Sequence, residues 1–289
     1  MPFDVSIARA RTTQQLHATA ERNSGWSPAM QGRNWHDLMS EVPRVTVGGL
    51  QVAALTRNET AELMITVAKQ RARTDPPPLF TSANGEVLSR CSSSHSIRSL
   101  FEPADLINAD GQPMVFASRA LTSRALPERV ATSDLFHDVA IRAVEREVTF
   151  AVIGGIEDEN CRAVENTRRM HPGISIVRRS HGYLDESAQR ALVQELSILK
   201  PDIVWLCLGV PHEQAFYWRW RRELDGVGIV KTGGGLINFL SGTRRRAPRL
   251  VQSAGLEWLF RLSLEPRRLF WRYALTNPHS QMLLLTSTR

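Results

Sequence analysis

Five places in this chain set glycine or a small polar residue directly after an apolar, strand-like run. They are Ser82-Ala83-Asn84, Asp110-Gly111, Gly154-Gly155, Gly209-Val210-Pro211 and Gly233-Gly234-Gly235. Glycine lets backbone N–H groups approach a ligand closely, and a helix starting there points its positive end at the same spot. Together the five turns describe an edge able to hold a nucleotide or a phosphate. Asp110 is the one carboxylate among them, and it closes the run ADLINAD. In that place an aspartate serves either as an ordinary turn former or as a base at the lip of a sheet, where open α/β folds bind ligands. No turn completes a G-x-G-x-x-G fingerprint or carries a Walker lysine, so neither dinucleotide nor P-loop chemistry is indicated.

Metal chemistry has little support in the residue pattern. The acidic trio Glu157-Asp158-Glu159 opens a helical stretch, where acids stabilise the helix dipole by about 0.3–1 kcal/mol each. No Asp-x-Asp pair occurs, and His95, His137, His171, His181 and His212 are scattered. Cys91, Cys161 and Cys207 lie far apart, with neither metal-ligand nor disulfide spacing. The expectation is an activity with no metal and no cofactor, in a reducing cytoplasm.

The elements that must position these turns alternate. The 289 residues suit one large α/β domain or two small ones. Residues 1–44 are polar, with Pro28 and Gly32 as breakers, and read as a variable, loosely packed extension. Arg44–Leu55 reads as a hairpin around Gly48-Gly49, and Thr56 with Glu59 forms a capping box for the next helix. Strands follow at LFTSAN, ADLINAD, VTFAVIGG, GISIVRRSHGY, PDIVWLCLGVP and GVGIVKTGGG. Helices are expected over 160–170, 186–199 and 213–224. PDIVWLCLGVP is apolar on both faces, as in a parallel sheet. The alternation predicts a Rossmann-like domain over 45–243 with a mostly parallel sheet flanked by helices.

The charge has a location. The chain carries a formal +7, and Arg244–Arg289 contains nine arginines and two glutamates, which is 9 − 2 = +7. The first 243 residues therefore sum to zero. Residues 244–289 read as a basic amphipathic appendage, with Arg244, Arg245, Arg246, Arg249, Arg261, Arg267, Arg268 and Arg272 interleaved with Trp and Leu. Arginine beside tryptophan on short helices suits an anionic membrane interface as well as a helix packed on the domain with a solvated basic face. No nucleic-acid motif accompanies the charge. No secretory signal is legible in the first thirty residues, and no apolar run reaches the ~18–20 residues of a membrane span.

From about residue 46 to 273 the sequence resembles the WecG/TagA/CpsF glycosyltransferases. The matching stretches come in order: TSANGEVL, ADLINADGQPMV, LPERVATSDL, AVIGG, HPGISIVRRSHGY, KPDIVWLCLGVPHEQ, TGGGLINFLSG and RRRAPRLVQSAGLEWLFRLSLEPRRLFWRY. The resemblance implies an inverting, metal-independent transferase on a Rossmann-like fold, whose C-terminal appendage reaches the membrane and helps close the active site. It implies a UDP-sugar donor and a polyprenyl-diphosphate-linked saccharide acceptor, in cell-surface polysaccharide synthesis at the inner face of the plasma membrane. A homo-oligomer is left open.

Carried over position by position, the family's catalytic aspartate falls on Asp110, the expected general base. Its T-x-N turn falls on Ser82 and Asn84, and Arg129 and Asp134 match its R…G-x-D stretch, with Thr132 in place of the glycine. The remaining substrate-binding expectations are Gly154, Gly155, Gly209, Pro211, Glu213, Gln214, Gly234 and Asn238. Arg244, Arg245, Arg246, Arg261, Arg267 and Arg268 are expected to meet the acceptor diphosphate or the membrane. Two places depart from the pattern: Glu213-Gln214 reverses the family's Gln-Glu, and Asn238 replaces an aspartate. The swap exchanges an amide for a charge near the expected cleft, which widens the donor expectation from N-acetylmannosamine or its uronic acid to glucose or another hexose. Two further classes compete. A nucleotide-sugar epimerase or dehydrogenase would need a dinucleotide fingerprint and a Tyr-x-x-x-Lys pair, and both are absent. A basic lipid- or nucleic-acid-binding protein would bind without turnover.

Overall fold

The computed structural model describes residues 34–70 and 76–289. The part of the expected extension that precedes residue 34 lies outside them. Residues 34–44 do not behave as a loose extension. Asn34 caps a short helix, α1 (Trp35–Ser40), whose Trp35, Leu38 and Met39 are buried in the main core. The hairpin is formed by β1 (Arg44–Val47) and β2 (Leu50–Ala53), paired antiparallel around Gly48-Gly49. Both glycines have positive φ, as a two-residue hairpin turn requires. The capping box forms as expected: Thr56 N donates to Glu59 Oε2 at 2.7 Å and Glu59 N to Thr56 Oγ1 at 3.2 Å. It starts α2 (Arg57–Gln70).

Six parallel strands follow: β3 (Leu79–Ala83), β4 (Leu106–Ala109), β5 (Thr149–Gly154), β6 (Ser175–Ser180), β7 (Ile203–Cys207) and β8 (Ile229–Thr232). They lie in the order β4-β3-β8-β7-β5-β6. Between them run α3 (Gly85–Ser93), α4 (His95–Phe101), α5 (Gln112–Leu121), α6 (Thr132–Glu145), α7 (Glu157–Met170), α8 (Glu186–Leu199) and α9 (His212–Trp220). This is the Rossmann-like α/β fold. Helices cover both faces, so the central strands must be apolar on both sides, and every residue of β7 is buried. Two apolar clusters result, one per face. Helix α7 begins at Glu157 rather than at 160, so the acidic trio is its first turn. Helix α9 ends at Trp220, four residues short of the expected stop, with Leu224 buried in the turn that follows.

After β8 come α10 (Leu236–Leu240), α11 (Arg249–Ser253), α12 (Glu257–Leu264) and α13 (Pro266–Thr286). The C-terminal segment folds back onto the domain. Helix α13 buries Leu269, Tyr273, Ser280, Leu283 and Leu284 and lies against α3. The approach is close: a Cβ added at Gly85 would meet Ser280 Oγ at 2.9 Å. The chain end is tied to the hairpin, with Gly49 N donating to Ser287 O at 2.8 Å and Arg289 N to Thr46 O at 3.0 Å. No helix of the described residues is long and apolar enough to cross a membrane.

Candidate active site

A cavity of about 510 Å³ opens at the C-terminal ends of β3, β4 and β8. Strand order reverses there, since β3 and β4 lie on one side of β8 and β7, β5 and β6 on the other. Open α/β sheets hold ligands in such a crevice. The sheet edge supplies Ser82, Asn84, Asp110, Thr232 and Gly234, and α9 supplies Glu213; the wall opposite comes from α12 and α13 through Glu257, Trp258, Arg261, Tyr273 and Gln281. The C-terminal segment therefore completes the cavity.

Asp110 sits at the cavity floor, its side chain 24% exposed. Its backbone N–H donates to Ala83 O at 2.7 Å, which binds the end of β4 to β3. Arg129 Nη2 donates to Oδ1 at 3.3 Å. Thr132 donates to Oδ2 from its hydroxyl at 3.0 Å and from its backbone N–H at 3.3 Å. The carboxylate is oriented from both sides yet faces the cavity. Arg129 also pairs through Nη1 with Glu257 of α12 at 2.7 Å, so the appendage is docked on the same arginine that holds Asp110. Charged partners keep Arg129 protonated: burial works against its charge, and Asp110 and Glu257 outweigh it. Asn84 caps α3 by accepting from Val87 N, and its neighbour Ser82 accepts from Lys231 Nζ at 2.7 Å.

Several expected residues stand outside the lining, and Glu213 reaches it only from a buried position. Gln214 is fully buried and donates to Thr81 Oγ1 at 3.1 Å. Glu213 is only 2% exposed. Its Oε2 accepts from Gly209 N at 3.1 Å and Gly234 N at 2.9 Å, tying the turn after β7 to the turn after β8. Burial pushes this carboxyl up to about 7, against the pull of the two glycine N–H groups, Lys231 and Gln214. Gly154 has φ +139, and a Cβ there would come within 2.2 Å of Cys207 O, so its glycine serves the close approach of β5 to β7. At Gly155, φ +68, a Cβ would meet Ile237 at 2.6 Å. Asn238 donates to Glu159 Oε2 at 3.0 Å. Gly209 and Pro211 flank the lining residue Val210, and Pro211 precedes α9.

The arginines expected at the acceptor or membrane divide into three groups. Arg246 pairs with Asp134, Arg268 with Glu265, and Arg244 with Glu265 at 3.3 Å. Burial raises the Asp134 carboxyl, but Arg246, Arg57 and Arg129 outweigh it and hold it below its ordinary value. Arg261 lines the cavity, while Arg245 and Arg267 are exposed. The structure also brings in residues that pattern reading missed: Lys231, Thr132, Glu257, Tyr273 and Gln281. A signal existed for Lys231, a lone lysine inside the apolar strand GVGIVKT. His137 and His171, read as scattered, meet with Nδ1 and Nε2 2.9 Å apart, away from Asp110.

The arrangement is one half-buried, oriented carboxylate beside glycine-rich turns under an arginine-bearing wall. A family model described as glycosyl transferase WecG/TagA/CpsF family matches residues 45–289. The chain belongs to this family of glycosyltransferases. A relative from Bacillus spizizenii (strain ATCC 23059 / NRRL B-14472 / W23), named N-acetylglucosaminyldiphosphoundecaprenol N-acetyl-beta-D-mannosaminyltransferase, is 29% identical over 199 residues, 69% of this chain and 75% of that protein. Within the WecG/TagA/CpsF frame the match runs to Arg289, so α13 falls inside the family's extent together with the sheet.

Proposed function

We propose that this glycosyltransferase moves N-acetylmannosamine from UDP to a polyprenyl-diphosphate-linked N-acetylglucosamine, with inversion and without a divalent metal. Asp110 is the general base. The acceptor hydroxyl oxygen attacks the anomeric carbon as its proton passes to the Asp110 carboxylate. The bond from that carbon to the diphosphate oxygen breaks, and UDP leaves with the electron pair. The observation that carries this reading is the placement of Asp110, held by Arg129 and Thr132 at the floor of the cavity with one side open to it. The relative's printed name supplies the sugar and acceptor class. Glu213 does not call for a different hexose: both its oxygens are engaged within the protein by Gly209, Gly234 and Gln214.

The leaving diphosphate would be met by backbone N–H groups after Gly111, where α5 starts without a side-chain cap, and by Arg261 of the cavity wall. Exposed Arg245 and Arg267, with Trp271 and Leu275 beyond them on α13, would face the anionic surface that holds the lipid acceptor. The test is UDP release from a panel of UDP-N-acetylmannosamine, its uronic acid and UDP-glucose, with lipid-linked N-acetylglucosamine, in EDTA and in magnesium. Turnover with UDP-N-acetylmannosamine that survives EDTA is expected. Preference for another donor, or activity that EDTA removes and magnesium restores, overturns the corresponding part.

A further inference from the structure

Lys231 is fully buried in the central strand β8, a place where an ammonium is expensive to keep. Its Nζ donates to Ser82 Oγ at 2.7 Å. Ser82 Oγ lies 3.1 Å from Thr132 Oγ1, and Thr132 Oγ1 lies 3.0 Å from Asp110 Oδ2. These contacts form one continuous chain from β8 through β3 and α6 to the end of β4. Its direction follows from the groups themselves. A carboxylate only accepts, so Thr132 gives its one hydroxyl hydrogen to Asp110. Ser82 then has to donate to Thr132, and so has to accept from Lys231. Every link points from the ammonium to the carboxylate.

We propose that Lys231 is a positioning residue for the transfer reaction, acting through Ser82 and Thr132 to hold the Asp110 carboxylate aimed into the cavity. The inference rests on Asp110 being the base. No proton travels along the chain: Lys231 supplies a fixed positive end, and the two hydroxyls pass on its polarisation. Burial pushes the lysine down to about 8, while Asp110, Glu213 and Cys207 pull it back up. Those three, from the end of β4, from α9 and from β7, are the charged or titratable groups that face it. Asp110 itself is faced also by Arg129, which Glu257 shares. Arg129 occupies Oδ1 and the hydroxyl chain occupies Oδ2, so neither does the other's work. Ser82 and Thr132 are two of the positions where this chain replaces the family's threonine and glycine, and here both replacements carry the hydroxyls that the chain needs.

The test titrates the Asp110 carboxylate by carbon-13 NMR in full-length protein labelled at aspartate, without substrate. The resonance is assigned by its absence from Asp110→Asn. In Lys231→Met and in Thr132→Val the titration midpoint should rise by about one pH unit, the scale set by losing a nearby opposite charge or a hydrogen bond to the charged form. Thr132→Ser, which keeps the hydroxyl, should leave it in place. Thr132→Val is nearly isosteric, so it decides the matter even if Lys231→Met does not fold. In the UDP-release assay both variants should lose kcat with the donor KM unchanged. Midpoints unmoved in the folded variants overturn the proposal while Asp110 remains the base. Full turnover in Asp110→Asn overturns the base and leaves the titration to judge the hydrogen-bond chain by itself.

Discussion

Asp110 keeps part of its carboxylate open to the cavity while Arg129 and Thr132 hold the rest. Replacement by asparagine preserves an acceptor for Thr132 but removes basicity. Asp110→Asn should therefore cut turnover by about 10²–10⁴-fold, the usual weight of a general base, with donor affinity and melting temperature nearly unchanged. Turnover within about threefold of the parent, well short of that range, returns Asp110-Gly111 to an ordinary turn. Glu213 makes a stability prediction. Its folded value, about 7, lies above the reference 4.5. Its contribution to stability is therefore complete below 4.5 and is lost as pH rises through about 7. Lys231, at about 8 against a reference of 10.5, behaves oppositely: its contribution is lost as pH falls through about 8. The melting temperature of the parent minus that of Glu213→Gln should accordingly grow as pH is lowered from about 8 to about 5. A difference that shrinks over that range would show that Glu213 is not held as a buried carboxyl.

At the scale of elements, α13 matters most. As a membrane anchor only, it would contribute nothing to stability in lipid-free solution. The structure instead buries Leu269, Leu283 and Leu284 beneath it and pairs Arg272 with Glu86 of α3 at 3.4 Å. His279 Nδ1 and Ser89 Oγ lie 3.0 Å apart across the same seam. Leu283→Ala should destabilise the lipid-free protein by about 2–5 kcal/mol in denaturant unfolding, as deletion of a packed leucine does. A cost below about 0.5 kcal/mol, the scale of an ordinary surface change, would detach α13 from the folded unit. The same packing affects any truncation before Arg244. That cut removes Glu257, Trp258, Arg261 and Tyr273 from the cavity wall along with the basic surface, so lost activity would not isolate the membrane contribution.

For the whole molecule, the basic surplus is smaller in effect than its count. Arg244, Arg246, Arg268 and Arg272 face acids of the same chain, and Arg129 is shared between Asp110 and Glu257. Arg245 and Arg267 are exposed. Arg267, Trp271 and Leu275 follow one another at four-residue spacing along α13, one face of a helix. If this face meets the membrane, the double change Arg245→Glu with Arg267→Glu should weaken binding to anionic vesicles by at least about tenfold, since each basic residue near such a surface contributes about 1 kcal/mol. The effect should fade as salt shortens the Debye length. Vesicle sedimentation at two ionic strengths checks it, and binding indifferent to both changes would place the contact elsewhere.

By itself the sequence determined the alternating parallel fold, the capping box at Thr56 and Glu59, the hairpin at Gly48-Gly49, and the position of Asp110 at a strand end. These are short-range properties. Period, turn chemistry and caps are written within a few residues of each other, and parallel strands put their ends on one edge without further instruction. Only the tertiary structure decided what surrounds Asp110. Lys231 meets Ser82 across 149 positions, Ser82 meets Thr132 across 50, and Thr132 meets Asp110 across 22. A residue pattern cannot say which of several hydroxyls a buried lysine will reach. The same holds for the tail: its +7 was plain in the chain, but which arginines are neutralised depends on Asp134, Glu86 and Glu265 being brought opposite them. Charge in a sequence is a sum. In a folded protein it is a set of distances, because the interaction of two charges depends on their separation and on how far water is excluded between them.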